Sequence, residues 1–269
     1  NASNGFAIHA LTFCHPSSSQ NLVMSRTFAV IYILSQVYFS LNASGAEPTD
    51  ETVALPTINQ HLFSNDEERF YMYVYRTFEG QHSRPWTGGK YGFVRNKRRT
   101  NDGVICTKFH EGIDIKPIKR DSTGRPLDKV KSIGSGKVVH CNATSHHSSY
   151  GKYVVVEHNW EGGPFYSLYA HLSSIAVRKG QKLALGDNLG TLGYTGNGLN
   201  RDRAHLHLEL GVLFSSRFNL WHDKYFTDSN HHGIYNGMNI AGLDVASFLL
   251  AKSKNQALTI PEFVSSIPI

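Results

Sequence analysis

The chain has 269 residues, 40% of them hydrophobic and 18% charged, which is typical of a globular protein and excludes a disordered one. Its 27 basic residues exceed its 21 acidic ones, and the net charge of +6 favours an anionic partner. We interpret the one dense basic cluster, RNKRR at 95–99, as a solvated loop. Without a basic helix or an aromatic RNA-binding motif, the sequence does not indicate a nucleic-acid partner.

Residues 24–46 have the pattern of an export signal. A short positive start, MSR, precedes an apolar run, and small residues, SGA, follow at 44–46. We predict a signal peptide that is cleaved after Ala46, and we expect residues 1–23, upstream of a more natural start at Met24, not to be native. An uncleaved anchor is the alternative, although the run is shorter than the roughly 18 residues of a spanning helix. The mature protein is then periplasmic, bound to the cell wall or extracellular, with no stable membrane anchor.

Signal cleavage also changes the cysteine count. It removes Cys14 and leaves Cys106 and Cys141. An even pair in an exported protein can form a disulfide. Two unpaired buried thiols are the alternative, and the sequence leaves both open.

The mature chain begins with an N-terminal extension over 47–102. Its first part is polar and contains Pro and Asn, as in an extended tail. DEERFYMYVYRTF at 66–78 suits a short helix with an acidic first turn. The same segment also suits a strand, because it is rich in aromatic and β-branched residues.

From Gly103 onward the pattern is that of β-structure. Four segments have strand length and β-branched or aromatic content, and turn sequences such as GSG and EGGP separate them: 137–141, 152–160, 165–172 and 204–214. Because no long helical pattern intervenes, we predict a mainly β fold with an antiparallel sheet over 103–215. A C-terminal extension follows over 216–269, with one helix at 244–253 and Asp244 as its N-cap.

Two histidines lie two residues apart in the last predicted strand, AHLHLEL. In a strand, residues i and i+2 point to the same face, so His205 and His207 project together with Glu209. The leucines between them share the opposite face and are expected to pack into the core. Alone, such a pair is compatible with an exposed sheet face.

The segment KFHEGIDI at 108–115 supplies a second polar face. If it is extended, His110, Gly112 and Asp114 lie on one side, and the glycine leaves room between the two polar groups. Imidazole and carboxylate are both zinc ligands. A helix is the alternative, since HEGID begins like a His-Glu-x-x-His motif, but Gly112 disfavours a helix interior by about 1 kcal/mol.

A third element is YAHL at 169–172, which places His171 near the end of an aromatic-rich strand. Two ligands from 108–115 and one histidine from 205–210 give three protein ligands. With a fourth position left for water, that is the pattern of a catalytic zinc site.

The ordered set His-x-x-x-Asp, Tyr-x-His-Leu and His-Leu-His resembles the lysostaphin-like (LytM, M23) zinc metallopeptidases. YGKYVVVEH and the glycine-spaced run VRKGQKLALGDNLGTLGYTGN are similar to the family's connecting segments. The resemblance covers about 105–213 and implies a LytM/lysostaphin-like, duplicated-hybrid-motif-like antiparallel β domain. The run GNGLNRDRA is longer and more charged than its counterpart in the family, which leaves the substrate preference open.

The resemblance also implies roles. His110, Asp114 and His207 are the expected zinc ligands, and His171 and His205 are the expected catalytic residues, either of which can be the general base. The implied activity is that of a zinc metalloendopeptidase that cuts peptide cross-links of peptidoglycan. The alternatives are a non-catalytic domain that binds the cell wall or activates a hydrolase, and a zinc domain that acts on other proteins. The oligomeric state is left open.

Overall fold

The computed structural model describes residues 51–64 and 66–268. The predicted signal peptide over 24–46 and the upstream segment 1–23 lie outside the described residues. The compact unit that carries the site extends to Phe263. In the described ranges, no helix has both the length and the apolar character needed to cross a membrane.

Strands dominate the described part of the chain, and every strand pairing is antiparallel. The strands are β1 (Arg76–Phe78), β2 (Gln81–Ser83), β3 (Val94–Thr100), β4 (Gly103–Phe109), β5 (Ile113–Ile115), β6 (Lys129–Lys131), β7 (Gly136–Asn142), β8 (Tyr153–His158), β9 (Phe165–Ala170), β10 (Ser174–Ile175), β11 (Lys182–Leu183), β12 (Asn188–Thr191), β13 (Leu206–Leu213) and β14 (Ile240–Gly242). The helices are short: α1 (Glu67–Phe70), α2 (Phe218–Tyr225), α3 (Val245–Lys254) and α4 (Ile260–Ser265). The predicted mainly β, antiparallel fold is confirmed, and the four predicted core segments form β7, β8, β9 and β13.

The central sheet has the strand order β11-β7-β8-β9-β13-β14. Strand β5 also pairs with β13, so β5 and β14 occupy successive parts of its free edge. A smaller sheet, β10-β12-β6, and two hairpins, β1-β2 and β3-β4, complete the strand pairings. Strand β13 therefore pairs with three strands, β5, β9 and β14, that are distant from one another in sequence.

The central sheet is covered on both faces, which explains the valine-rich sequence of β8. Val154 and Val156 belong to the larger apolar cluster, whereas Val155 points to a smaller one on the opposite face. All three are fully buried. Burying a valine contributes about 1.5–3 kcal/mol, so this strand anchors the sheet from both sides.

Several local features differ from the simplest sequence interpretation. The RNKRR cluster is not a loop: it lies in β3, whose side chains are mostly exposed but whose backbone pairs with β4. The segment 66–78 contains both alternatives, since α1 is followed by β1. Asp244 caps α3 by accepting a hydrogen bond from the backbone of Ser247, as expected.

The two remaining cysteines are free. Cys106 is exposed on the β3-β4 hairpin, and Cys141 is half-buried in β7, where its thiol contacts the carbonyl of Val177 at 3.9 Å. The two thiols are on different sheets, so the disulfide that the sequence left open does not form in this structure.

Candidate metal centre

Strand β13 brings the polar side chains together through its pairing register. His207 is directly opposite Asp114 of β5 on one side and Ala170 of β9 on the other, and His171 follows Ala170 immediately. The leucines on either side of His207 are fully buried on the core side. The pairing of β13 with β5 therefore brings Asp114, a predicted ligand, next to His207. The pairing of β13 with β9 brings His171, a predicted catalytic residue, close to the same ring.

The three predicted ligands form a tight, buried group. The Nε2 atom of His110 and the Nδ1 atom of His207 lie 3.1 Å and 2.9 Å from Oδ1 of Asp114. The two ring nitrogens are 3.1 Å apart. Among the described residues, this is the one group of three such side chains that could hold a metal ion.

The outer hydrogen bonds of the two rings orient them toward that group. Nδ1 of His110 donates to the carbonyl of Lys90 at 2.9 Å, so Nε2 faces the centre. Nε2 of His207 donates to Oε1 of Glu209 at 2.8 Å, so Nδ1 faces the centre. Two imidazole nitrogens and one carboxylate oxygen are a donor set that fits zinc, and three protein ligands leave a position for a further ligand.

Gly112 makes this convergence sterically possible. A Cβ atom built at this position would lie 2.4 Å from the carbonyl oxygen of Leu208 and 3.0 Å from the ring of His207. The backbone of 110–114 can therefore approach β13 only with glycine here. The sequence predicted that this glycine leaves space between the two polar groups. In the structure, the carbonyl of Leu208 and the ring of His207 occupy that space.

The other two predicted residues lie beside the group. The rings of His171 and His205 have centroids 4.7 Å apart, and Nε2 of His205 is 3.3 Å from Oδ1 of Asp114. Nδ1 of His171 donates to the carbonyl of Thr195 at 3.0 Å, and Nδ1 of His205 donates to that of Arg203 at 2.6 Å. In each ring Nε2 is thus the nitrogen that is available for proton exchange.

His171 has an unusual backbone conformation. Its φ of 65° lies in the left-handed region, which few non-glycine residues adopt. Its amide donates to the carbonyl of Tyr150 at 2.9 Å, which helps to hold the chain there. Such local strain is concentrated at functional sites and turns the ring away from the path of β9.

The electrostatics favour a positive charge at the centre. Burial opposes ionisation of Asp114, but His110 and His205 hold the pKa of its carboxyl well below the usual range. Burial also disfavours a charged His207, yet Asp114 and Glu209 raise the pKa of that ring to about 10. Burial, His205 and His207 lower the pKa of His171 well below its usual value, so this ring stays neutral. A buried centre that stabilises a cation in this way is suited to a metal ion.

Two residues at the site had no role in the sequence interpretation. Glu209 was placed on the metal-facing side by strand alternation, but its bond to His207 was not foreseen. The half-buried Tyr150 donates its hydroxyl to Oε1 of the same Glu209 at 2.6 Å. The signal was weak: Glu209 continues the i+2 series of the histidines, whereas nothing in the sequence pairs it with a tyrosine 59 residues away.

Comparisons with known proteins match the central segment to a family model. Residues 108–217 match the model of Peptidase family M23. Peptidoglycan DD-endopeptidase ShyA of Vibrio cholerae is 41% identical over 83 residues, 31% of this chain and 17% of that protein. Lipoprotein NlpD/LppB homolog of Pseudomonas aeruginosa is 33% identical over 102 residues, 38% of this chain and 29% of that protein. The chain spans less than a third of the length of these curated relatives.

Similar chains are also found among solved structures. Lysostaphin from Staphylococcus simulans is 22% identical, with a TM-score of 0.37, 65% of this chain covered and 55% of that chain. A zinc-containing peptidase from Vibrio cholerae is 28% identical, with a TM-score of 0.34, 53% of this chain covered and 36% of that chain. The sequence match carries the assignment, because it extends across all five predicted site residues. Residues 108–217 of this chain therefore resemble peptidase family M23 in sequence.

Proposed function

We propose that the protein is a zinc metalloendopeptidase that hydrolyses peptide bonds, with peptidoglycan cross-links as its substrate. The observation that carries the proposal is the convergence of His110, Asp114 and His207 beside two further histidines whose Nε2 atoms are available. The similarity to a peptidoglycan DD-endopeptidase supports the substrate class. The basic chain is suited to an anionic wall polymer.

His110, Asp114 and His207 would hold the zinc ion. When bound, zinc supplies a Lewis acid for the scissile carbonyl and lowers the pKa of a water molecule toward about 7. Glu209 and the carbonyl of Lys90 keep the two ligand rings in the required tautomers. The protein's contribution here is to fix the donor atoms before substrate arrives.

His171 and His205 share the proton transfers in this proposal. Their Nδ1 protons are committed to backbone carbonyls, so each ring accepts or releases a proton through Nε2. One ring takes the proton of the attacking water, and a protonated ring returns a proton to the leaving amine. A protonated ring also stabilises the developing oxyanion.

A second candidate function is a non-catalytic domain that binds the cell wall or activates a hydrolase. The match to an NlpD/LppB lipoprotein homolog, whose name states no enzymatic activity, keeps this candidate open. The complete set of donor and proton-transfer side chains favours the enzyme. Both candidates require export, for which the predicted signal peptide and the wall-acting relatives are the support.

The test measures zinc content and the release of soluble muropeptides from purified sacculi by the full chain. His207→Ala is expected to lose both zinc and release, whereas His205→Ala keeps zinc and loses release. The exposed His82 of β2 provides a control, and His82→Ala should match the wild type. A wild type that binds zinc, releases nothing and stimulates another hydrolase would establish the second candidate, and a wild type with neither zinc nor release would refute the proposal.

A further inference from the structure

Three arginines lie on segments that hydrogen bonds tie to the metal centre. The amide of Met72 donates to the carbonyl of Asp114 at 2.8 Å, the amide of His110 donates to the carbonyl of Phe93 at 3.0 Å, and Nδ1 of His205 donates to the carbonyl of Arg203 at 2.6 Å. Arg76 is in β1, Arg95 is in β3 and Arg203 lies three residues before the start of β13. Burial lowers the pKa of Arg76 and of Arg203, Arg95 lowers both further, and Asp114 raises both. The mutual effects of the three guanidinium groups on their pKa values, and those of Asp114 on two of them, agree with the placement that the hydrogen bonds give.

Many N–H donors of these three arginines have no hydrogen-bond acceptor among the described residues. Nε of Arg76 is buried and has no hydrogen-bond partner among the described residues. One terminal nitrogen of Arg76 donates to the adjacent carbonyl of Tyr75 at 3.1 Å. Nε of Arg203 donates to the carbonyl of Tyr73 at 3.3 Å, which is long for such a bond. Each guanidinium has five donors, and several of them have no acceptor in the described part of the chain.

Acidic side chains do not balance the cluster. Other arginines of the same region have acidic partners, Arg99 with Glu79 and Arg69 with Asp66. In the described part of the chain, none of the three clustered arginines forms an ion pair. The nearby Asp114 has its Oδ1 atom surrounded by three histidines and is a metal ligand in our proposal. Half-buried cations without a counter-ion are costly unless an anion completes the site.

We propose that Arg76, Arg95 and Arg203 form a subsite that binds the carboxylate of a peptide substrate, on the residue that supplies the amine of the scissile bond. This inference rests on the proposed function, since it names the chemistry of the substrate beside that bond. The planar guanidinium fork matches a carboxylate in a bidentate manner. Arg203 is separated from His205 by a single residue, so a carboxylate bound here lies next to the reacting centre.

The experiment compares two ligands on one protein. The probes are an acetylated tripeptide that ends in D-Ala-D-Ala with a free carboxylate, and the same peptide as the carboxamide, so that they differ in a single charge. Binding is measured by calorimetry on the zinc-loaded full chain with His171→Ala, which removes a proton-transfer ring and prevents turnover. We expect the carboxylate to bind about tenfold or more tightly than the carboxamide, because charge-assisted hydrogen bonds are lost in the latter.

Arginine substitutions locate the effect. Arg76→Gln and Arg203→Gln should reduce the preference for the carboxylate to less than about threefold, and Arg76→Lys should restore part of it. Arg98, exposed on the same strand as Arg95, is the matched control, and Arg98→Gln should keep the full preference. Because acid and amide are compared on the same protein, a misfolded variant loses both and cannot imitate the expected result.

Three results would overturn the inference. They are equal binding of acid and amide by the parent, a preference that survives both Arg76→Gln and Arg203→Gln, and displacement of the acid by inorganic phosphate at similar concentration, which would indicate a general anion site. Failure of the proposed function is distinguishable, because a protein that releases no muropeptides can still show the preference for the carboxylate.

Discussion

Glu209 binds the ring nitrogen of His207 that faces away from the metal centre, and replacing Glu209 tests whether this contact strengthens metal binding. Its buried Oε1 accepts hydrogen bonds from Nε2 of His207 at 2.8 Å and from the hydroxyl of Tyr150 at 2.6 Å. Glu209→Gln keeps the size of the side chain but removes the negative charge that makes His207 a more basic ligand. Partners of this kind contribute about 10- to 100-fold to metal affinity. We expect about a tenfold loss for Gln, or about 1.4 kcal/mol, and a larger loss for Ala.

Competition with a chromophoric chelator measures the zinc affinity at a fixed pH. Glu157 of β8 offers a matched control. It accepts a hydrogen bond from the hydroxyl of Tyr166 at 3.1 Å but contacts no predicted metal ligand. Glu157→Gln should leave the zinc affinity unchanged. If folded Glu209→Gln protein binds zinc within about twofold of the wild type, Glu209 does not tune the ligand, and the reasoning from the hydrogen bonds is wrong.

Other substitutions test the packing and the pH dependence. Gly112→Ala places a methyl group against the Leu208 carbonyl and the His207 ring, so zinc affinity should fall at least as much as for Glu209→Gln, as measured by the same competition. Val155→Ala should lower the free energy of unfolding by about 2 kcal/mol in urea denaturation. Burial lowers the pKa of His158 to about 4. The unfolded chain binds this proton at a higher pH than the folded chain does. The free energy of unfolding is therefore highest above pH 6.5 and should fall by about 2 kcal/mol by pH 5. His158→Gln should remove that loss, and an unchanged pH profile would show that His158 is not its source.

Local sequence patterns predicted much of the fold and which candidate site residues share a strand face, whereas the roles of those residues came from the family resemblance. Strand alternation places His205, His207 and Glu209 on one face, because successive side chains of a strand point in opposite directions. Gly112 and its apolar neighbours disfavour a helix over 108–115, and the structure has two strands there, β4 and β5, joined through residues 110–112. These inferences need only neighbours along the chain, so they do not depend on the tertiary structure.

Tertiary pairing decided the rest. Asp114 and His207 are 93 residues apart and meet because β5 pairs with β13 in one register. The ring orientations depend on backbone carbonyls of Lys90, Thr195 and Arg203, which belong to no side-chain pattern. RNKRR becomes a strand for the same reason, since its ladder partner is supplied by the neighbouring segment. The sequence determined which chemical groups each strand presents; only the packing of distant strands decided which of those groups share a centre, because hydrogen-bond ladders and close backbone contacts form between segments that the linear sequence keeps apart.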